Sequence, residues 1–290
     1  MEERTFSPSS RPSLASEAPI GIFDSGIGGL TVAHALAQAW PSEPLHYFGD
    51  TAHMPYGDRS PELVRAWSIR IAEHLVAGGC KAIVIACNSA SATAAEAVQS
   101  AVGPDIPVMD VIAPVVDHVA KGSARRIGVI GTRATVGSGV YGRSLRVAMG
   151  TRLAGDSTRT VEEWATPLLA PLIEEGWHDH ALMEPVISSY LESAGWANGA
   201  LDVLIPGCTH YPLALPALEK VLGEGVELVD GPAIVAEAVG KRLEENGLLS
   251  ASSEVPQHQF SVSDLTPSFA DSARRFFGSG ITLVHDPLWD

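Results

Sequence analysis

Two segments place a cysteine directly ahead of small polar side chains. A free thiol with a pKa of about 8.5 is only about 3% ionised at pH 7, but its thiolate is a base and a nucleophile. Hydroxyl, amide and imidazole groups beside the sulfur can bind a substrate or move a proton, although a lone cysteine after an apolar strand often only fills a core. Two matched polar segments favour thiol chemistry. They are Cys87-Asn88-Ser89 and Cys208-Thr209-His210.

Both cysteines lie where a predicted strand ends and a predicted helix begins. The strands are expected at 82–86 and 201–205. Open α/β sheets bind ligands at this edge, where free N–H groups and the helix dipole hold anions and lower the pKa of a thiol. We therefore expect a carboxylate site there, beside thiols that ionise more readily than free cysteine.

Asp24 ends the first predicted strand, ahead of Ser25 and a glycine-rich turn. The turn lacks the third glycine of a dinucleotide-binding loop, and an acidic side chain would face the pyrophosphate. An aspartate here is better suited to contact a substrate ammonium or to assist a catalytic acid. An Asx turn ahead of a helix is the structural alternative.

Other chemistries find no support in the sequence. It has no P-loop, no lysine in a loop typical of a Schiff-base pocket, and no metal-ligand spacing among its histidines and three cysteines. We therefore expect no cofactor and no metal. The odd, sparse cysteine set gives no disulfide framework and suits a reducing cytoplasm.

Composition narrows the class of protein. The chain has 290 residues, is 46% hydrophobic and 18% charged, and carries a net charge of −15, which would repel nucleic acid and acidic membranes. No apolar run approaches the roughly twenty residues that cross a bilayer. Residues 1–18 are rich in Ser and Pro and lack the apolar region of a signal peptide, so they are predicted to form a disordered, dispensable tail.

Strand and helix patterns alternate from residue 20 onward, which predicts an α/β fold with parallel sheets covered by helices on both faces. One helix is expected to begin at Pro61 after the N-cap Ser60, with a buried stripe of Leu63, Trp67, Ile71 and Leu75. The two strand-cysteine-helix segments form a faint internal repeat. Two related lobes would explain it.

Six segments together resemble the cofactor-independent glutamate racemases of the aspartate/glutamate racemase superfamily. They follow that family's order along the chain. The segments are GIFDSGIGGLT at 21–31, YFGDT at 47–51, PYG at 55–57, ACNSA at 86–90, IGVIGT at 127–132 and GCTHYPL at 207–213.

The resemblance implies two pseudo-symmetric α/β lobes, each a mostly parallel sheet flanked by helices, with the active site between them. The first lobe would comprise residues 19–113 and 237–290, and the second residues 114–236. It also implies a cytoplasmic homodimer that supplies D-glutamate for peptidoglycan.

The resemblance further implies two-base racemisation. Cys87 would take the Cα proton of D-glutamate and Cys208 that of L-glutamate, with Asp24 and His210 as their respective catalytic helpers. Ser89 and Thr166 depart from the family's common Thr and Cys without removing a catalytic group. The implied substrate-binding residues are Asp24, Ser25, Tyr56, Gly57, Asn88, Ser89, Thr209 and His210, with Asp50 and Glu174 as accessory acidic groups.

Three alternatives remain open at this point. The same chemistry could act on aspartate or another small acid. A thiol hydrolase would use Cys208 as nucleophile and His210 as base, leaving Cys87 without a role. A non-catalytic binding protein on the same fold would show no proton exchange.

Overall fold

The computed structural model describes residues 16–150, 159–196 and 199–289, and these form two parallel β-sheets flanked by helices. The predicted α/β fold is confirmed. The strands are β1 (Ile20–Asp24), β2 (Leu45–Gly49), β3 (Ala82–Ile85), β4 (Val108–Asp110), β5 (Arg126–Gly131), β6 (Thr160–Ala165), β7 (Val203–Gly207), β8 (Glu227–Leu228), β9 (Gln259–Val262) and β10 (Val284–His285).

Helices connect these strands, and within the described ranges none is both long and apolar enough to cross a bilayer. They are α1 (Leu30–Ala39), α2 (Pro61–Ala77), α3 (Asn88–Val102), α4 (Ala113–Lys121), α5 (Arg133–Ser138), α6 (Val140–Gly150), α7 (Leu169–Glu174), α8 (Met183–Ser193), α9 (Leu215–Leu222), α10 (Gly231–Glu245) and α11 (Pro267–Phe277).

The two sheets draw on different parts of the chain. The six-stranded sheet has the order β10-β9-β2-β1-β3-β4, so the C-terminal strands rejoin the N-terminal ones, and the four-stranded sheet has the order β6-β5-β7-β8. We call the two sheets with their helices the first and second lobes. The lobe boundaries at residues 113 and 236 stay a prediction.

Successive apolar side chains of the central strands point to opposite faces of the first sheet, which explains why helices cover both faces. Ile22 and Val84 belong to one buried cluster, whereas Phe23 and Ile85 belong to another on the opposite face. The first cluster continues into the second lobe through Val129 and its neighbours. A shared core of this kind holds the carboxyl ends of β1, β3 and β7 near one another.

Helix α2 begins as predicted but turns a different face to the core. The Ser60 side chain accepts a hydrogen bond from the Leu63 N–H, and Pro61 is the first helical residue. The buried positions are Val64, Ser68, Ile71, Ala72 and Leu75, so the predicted stripe was wrong at Leu63, which is 47% exposed. Positions spaced by four residues turn about 40° per step around a helix, so the first member of the predicted stripe lies off the buried face. Trp67 is only partly buried and stacks on His53.

A buried ion pair ties together the amino ends of β2 and β3. Lys81 Nζ lies 2.6 Å from Glu43 Oε2, and both side chains are almost fully buried. Glu43 also accepts the Ser250 N–H at 2.6 Å, and Lys81 donates to the Ser16 carbonyl. Residues 1–15 of the predicted tail lie outside the described residues. Ser16, near the end of that tail, contacts the folded body through this hydrogen bond.

Breaking this ion pair should destabilise the protein strongly. We expect Lys81→Met to cost about 3–5 kcal/mol, because it leaves the Glu43 carboxylate buried without its counter-ion. The double variant Lys81→Met/Glu43→Gln keeps an acceptor for Ser250 and should recover most of that loss. Denaturant unfolding measures both, and a single variant that loses less than about 1 kcal/mol would contradict a buried charge at Glu43.

Candidate active site

The two cysteines predicted to be catalytic line one cavity of about 90 Å³ between the lobes. Each is about 5% exposed. The first lobe supplies Cys87 after β3, and the second supplies Cys208 after β7. The cavity is lined by Ser25, Gly26, Met54, Pro55, Tyr56, Gly57, Cys87, Asn88, Ser89, Thr132, Ala170, Pro171, Glu174, Cys208, Thr209 and His210.

Strand register explains why these residues meet. In the first sheet Ile20 pairs with Ala82, so the ends of β1 and β3 lie side by side and bring Asp24 near Cys87. In the second sheet Gly131 pairs with Gly207, so Thr132 and Cys208 leave the sheet at the same edge. The site therefore follows from the carboxyl ends of parallel strands in both lobes.

Cys87 has a desolvated environment that holds it as a thiol. Its Sγ lies 3.7 Å from Ser25 Oγ. Burial, followed by the charge of Asp24, raises its pKa to about 12, against the smaller effects of hydrogen bonds from Ala90 and Ser25. The expected lowering of this pKa at the start of a helix is thus outweighed.

Asp24 stands just behind the cavity wall and is completely buried. Its Oδ2 accepts the Gly26 N–H at 3.0 Å, as in the Asx turn considered from the sequence. Its Oδ1 has no hydrogen-bond partner in the described structure. A buried carboxylate oxygen with spare acceptor capacity favours a cationic or protonated neighbour.

The environment of Cys208 is different, because Cys208 lies at the end of a hydrogen-bonded chain of side chains. Its Sγ lies 3.6 Å from His210 Nδ1, and His210 Nε2 lies 2.8 Å from Glu174 Oε1. Burial opposes charge on the imidazole, but hydrogen bonds to Cys208 and Glu174 prevail and hold the His210 pKa well above its ordinary value. His210 is therefore an imidazolium that can stabilise negative charge on the Cys208 sulfur.

Polar residues beside the cysteines also join the lobes. Tyr141 OH donates to Asn88 Oδ1 at 2.8 Å, and Ser89 Oγ lies 3.0 Å from Thr132 Oγ1. The sequence reasoning missed Thr132 as a site residue. Its position directly after a strand, matching that of Ser25 in the other lobe, was the pattern that could have identified it.

A third contact between the two lobes holds the Cys208 loop. The Thr31 hydroxyl donates to the Thr209 carbonyl at 2.9 Å. Gly28 packs so closely beneath His210 that a Cβ there would lie 2.4 Å from the imidazole. The position of the His210 ring is thus set from the first lobe as well as by Glu174.

Asp50 lies outside the cavity and organises its wall. It is fully buried and accepts hydrogen bonds from Tyr56 OH at 2.5 Å, Ser263 Oγ at 2.8 Å and Trp289 Nε1 at 2.7 Å. Burial and the Asp50 charge raise the pKa of Tyr56, so its phenol stays a donor. The two predicted accessory residues therefore have different positions. Glu174 lines the cavity, whereas Asp50 lies behind it and holds Tyr56 in place.

The described part of the chain contains no group of three or more His, Cys, Asp and Glu side chains arranged to hold a metal ion. The cavity instead offers two thiols, an imidazolium, hydroxyls and backbone groups. These groups can bind carboxylates and transfer protons from two sides.

Comparison with known proteins identifies the family of the chain. A family model described as Asp/Glu/Hydantoin racemase matches residues 29–239. A glutamate racemase of Chlorobaculum tepidum is 39% identical over 274 residues, covering 93% of this chain and 96% of that protein. One of Geobacter metallireducens is 40% identical over 267 residues, covering 92% and 95%.

A solved structure extends the comparison to the fold. The glutamate racemase of Francisella tularensis in complex with D-glutamate superposes with a TM-score of 0.85 at 33% identity, covering 94% of this chain and 99% of that chain. The fold and site define a two-lobed α/β enzyme with paired thiols. The chain belongs to the Asp/Glu/hydantoin racemase family, which confirms the resemblance stated from the sequence.

Substitution of Gly28 should impair the site without unfolding the protein. We expect Gly28→Ala to reduce racemase activity by about 10²-fold, because the added methyl displaces the His210 ring. The matched control is Gly137→Ala, where a Cβ meets nothing within 4 Å. Polarimetric rates and melting temperatures test this, and wild-type activity in Gly28→Ala would show that His210 tolerates displacement.

The raised pKa of Cys87 should appear in the pH dependence of stability. The folded state holds the thiol proton more tightly than the unfolded state, where the pKa is near 9, so this stabilisation is fully present below pH 9 and is lost as pH rises toward 12. Between about pH 8 and about pH 10, wild type should lose roughly 1–2 kcal/mol more than Cys87→Ala. Denaturant unfolding at both pH values measures the difference, and parallel losses would contradict the raised pKa.

Proposed function

We propose that the protein interconverts L-glutamate and D-glutamate without a cofactor by a two-base transfer of the Cα proton. The observation that carries the proposal is the pair of buried thiols, Cys87 and Cys208, which line one small cavity from different lobes. Inversion at Cα requires removal of a proton from one face and its return on the other. Two acid–base groups on opposite faces meet that requirement.

The different surroundings of the two thiols support a definite starting point. Burial and Asp24 raise the pKa of Cys87, which can therefore donate a proton, whereas His210, held by Glu174, lies beside Cys208 and can support negative charge on its sulfur. Cys208 would therefore remove the proton of L-glutamate while Cys87 protonates the opposite face. The two cysteines exchange protonation states in each turnover, so the reverse reaction uses the same groups.

D-Glutamate requires Cys87 to become the thiolate. Asp24 by itself opposes this, because its negative charge raises the pKa of the neighbouring thiol. We assign Asp24 to the substrate ammonium or to the proton leaving Cys87, either of which would satisfy its unpartnered Oδ1. The substrate itself then supplies the positive charge that the Cys87 side lacks.

The remaining wall residues would hold the two substrate carboxylates. Hydroxyl and backbone donors line the cavity at both cysteine loops, after β1 and β5, and at residues 56–57. A carboxylate accepts hydrogen bonds from several such donors. We assign this role to Ser25, Tyr56, Gly57, Asn88, Ser89, Thr132, Thr209 and His210, all of which line the cavity.

Biological context is part of the same proposal. We assign the protein to the cytoplasm, as a homodimer that supplies D-glutamate for peptidoglycan, with no nucleic acid, membrane or cofactor as partner. The relatives named above are glutamate racemases, which favours glutamate over aspartate. A thiol hydrolase is disfavoured because it would leave Cys87 without a role.

Purified protein with no added cofactor should convert L-glutamate to D-glutamate and exchange the Cα hydrogen with solvent deuterium. Activity on aspartate should be far lower, since the polar groups of the cavity would pair incompletely with the shorter side chain. Chiral chromatography and NMR follow both reactions. Activity that appears only with added pyridoxal phosphate would overturn the two-thiol proposal.

Cysteine-to-serine variants test which thiol serves which face. A serine hydroxyl is far too weakly acidic to replace a thiolate, so Cys87→Ser and Cys208→Ser should both lose racemisation. Elimination of chloride from 3-chloroglutamate needs only one deprotonation, after which the Cα electron pair forms the Cα=Cβ bond as chloride leaves. The resulting enamine tautomerises and hydrolyses to a 2-oxo acid and ammonia.

Cys208→Ser should keep elimination from the D-analogue, and Cys87→Ser should keep it from the L-analogue. Chloride and 2-oxo acid release measure both. The opposite pattern would reverse the roles of the thiols. Equal elimination from both enantiomers in both variants would mean that neither cysteine is a face-specific base. Wild-type racemisation in Cys87→Ser would mean that Cys87 has no catalytic role.

A further inference from the structure

The C-terminal helix α11 belongs to the first lobe's chain segment but contacts the second lobe at α7. Arg275 Nη2 donates to the Glu174 carbonyl at 2.6 Å and to Ser272 Oγ at 2.7 Å. The Ser272 hydroxyl approaches the same carbonyl at 3.4 Å. The main chain of Glu174 is thus held from outside its own lobe.

This contact is made at the C-terminal end of α7. Helix α7 has only six residues, and Glu174 is its last, so the Glu174 carbonyl is one of the terminal acceptors without a partner inside the helix. So short a helix is not stable by itself. The chain turns away at Gly176 with φ of +80°, beside the Arg275 guanidinium. Arg275 therefore caps the helix that presents the Glu174 carboxylate to the site.

The same helix also contacts the imidazole that Glu174 holds. The ring of Phe276 lies edge-on to His210, with 5.3 Å between ring centroids. Arg275 and Phe276 are adjacent in α11, so one turn of this helix contacts both Glu174 and His210. The described structure records no hydrogen bond from Arg275 to the Cys87 side.

We propose that Arg275 is a positioning residue for the Cys208 half of the active site. It fixes the main chain of Glu174, Glu174 fixes His210, and His210 supports the charge of Cys208. The inference rests on the two-thiol function proposed above. Arg275 itself does not line the cavity that holds the two thiols.

Racemisation rates alone cannot show such a one-sided effect. The two enantiomers have equal free energy in water, so the equilibrium constant is one and kcat/KM must be equal in both directions for every variant. A residue that serves only one face is therefore revealed by a reaction that uses one face. Elimination from the two enantiomers of 3-chloroglutamate provides that readout.

The test compares Arg275→Met with the neighbouring Arg274→Met. Methionine keeps an apolar side chain and removes the guanidinium. Arg274 is the matched control, because within the described ranges its ion pair is with Asp271, at 2.6 Å on the surface of the same helix. Melting temperatures and circular dichroism establish that both variants are folded before their activities are compared.

In Arg275→Met, the rate of chloride elimination from the L-analogue should fall by about tenfold to about a hundredfold. Elimination from the D-analogue should stay within about twofold of wild type, since Cys87 does not depend on Glu174. Arg274→Met should match wild type on both analogues. Arg275→Lys should recover part of the L-specific loss, because an ammonium can still donate to the Glu174 carbonyl.

A double variant tests whether Arg275 acts through Glu174. If it does, Arg275→Met/Glu174→Gln should lose little more L-elimination than Glu174→Gln alone, because coupled residues are not additive. Equal losses on both enantiomers, additive losses in the double variant, or no loss in Arg275→Met would each overturn the inference. Wild-type protein that eliminates from neither analogue would instead contradict the two-thiol function.

Discussion

Burial of two thiols in one cavity is the constraint on which the rest of the site depends. A thiolate loses hydration energy when it leaves water, so a desolvated cysteine stays protonated unless a nearby group stabilises its charge. Cys87 and Cys208 are equally buried, yet their surroundings differ. Cys208 has His210 beside it, whose pKa is raised by hydrogen bonds to Cys208 and Glu174, whereas Cys87 has the carboxylate of Asp24.

This asymmetry explains why more supporting residues lie behind Cys208 than behind Cys87. On the Cys208 side, the imidazolium must itself be stabilised, so Glu174 is required, and Glu174 lies on a helix too short to hold its own end. On the Cys87 side, the described structure instead places the buried carboxylate of Asp24, whose Oδ1 has no hydrogen-bond partner. Cys208 thus has a chain of side chains and a capped helix behind it, whereas Cys87 has only a buried acceptor.

The main features of the fold and site were predictable because they depend on local patterns. Alternating strands and helices indicated the α/β class, and polar residues after apolar strands located both cysteine loops. The prediction for Leu63 was wrong because a stripe spaced every four residues turns around the helix, so the spacing alone does not fix which members face the core. Glu174 was reached only through the resemblance, since a six-residue helix has too little periodicity to predict. Arg275 and Trp289 act across about one hundred residues or more of sequence, which no local pattern encodes.

The contacts between lobes have a consequence for how substrate reaches the thiols. Thr31 bonds the Thr209 carbonyl, Tyr141 bonds Asn88, and Ser89 meets Thr132, so the lobes are joined by residues adjacent to the catalytic loops. Separation of the lobes to admit a ligand would break these hydrogen bonds at the place where the ligand's carboxylates would bind. The donors released in this way could then bond to the ligand. Substrate binding and closure of the cavity would therefore use the same polar groups, which would set the separation of the two thiols only once a ligand is enclosed.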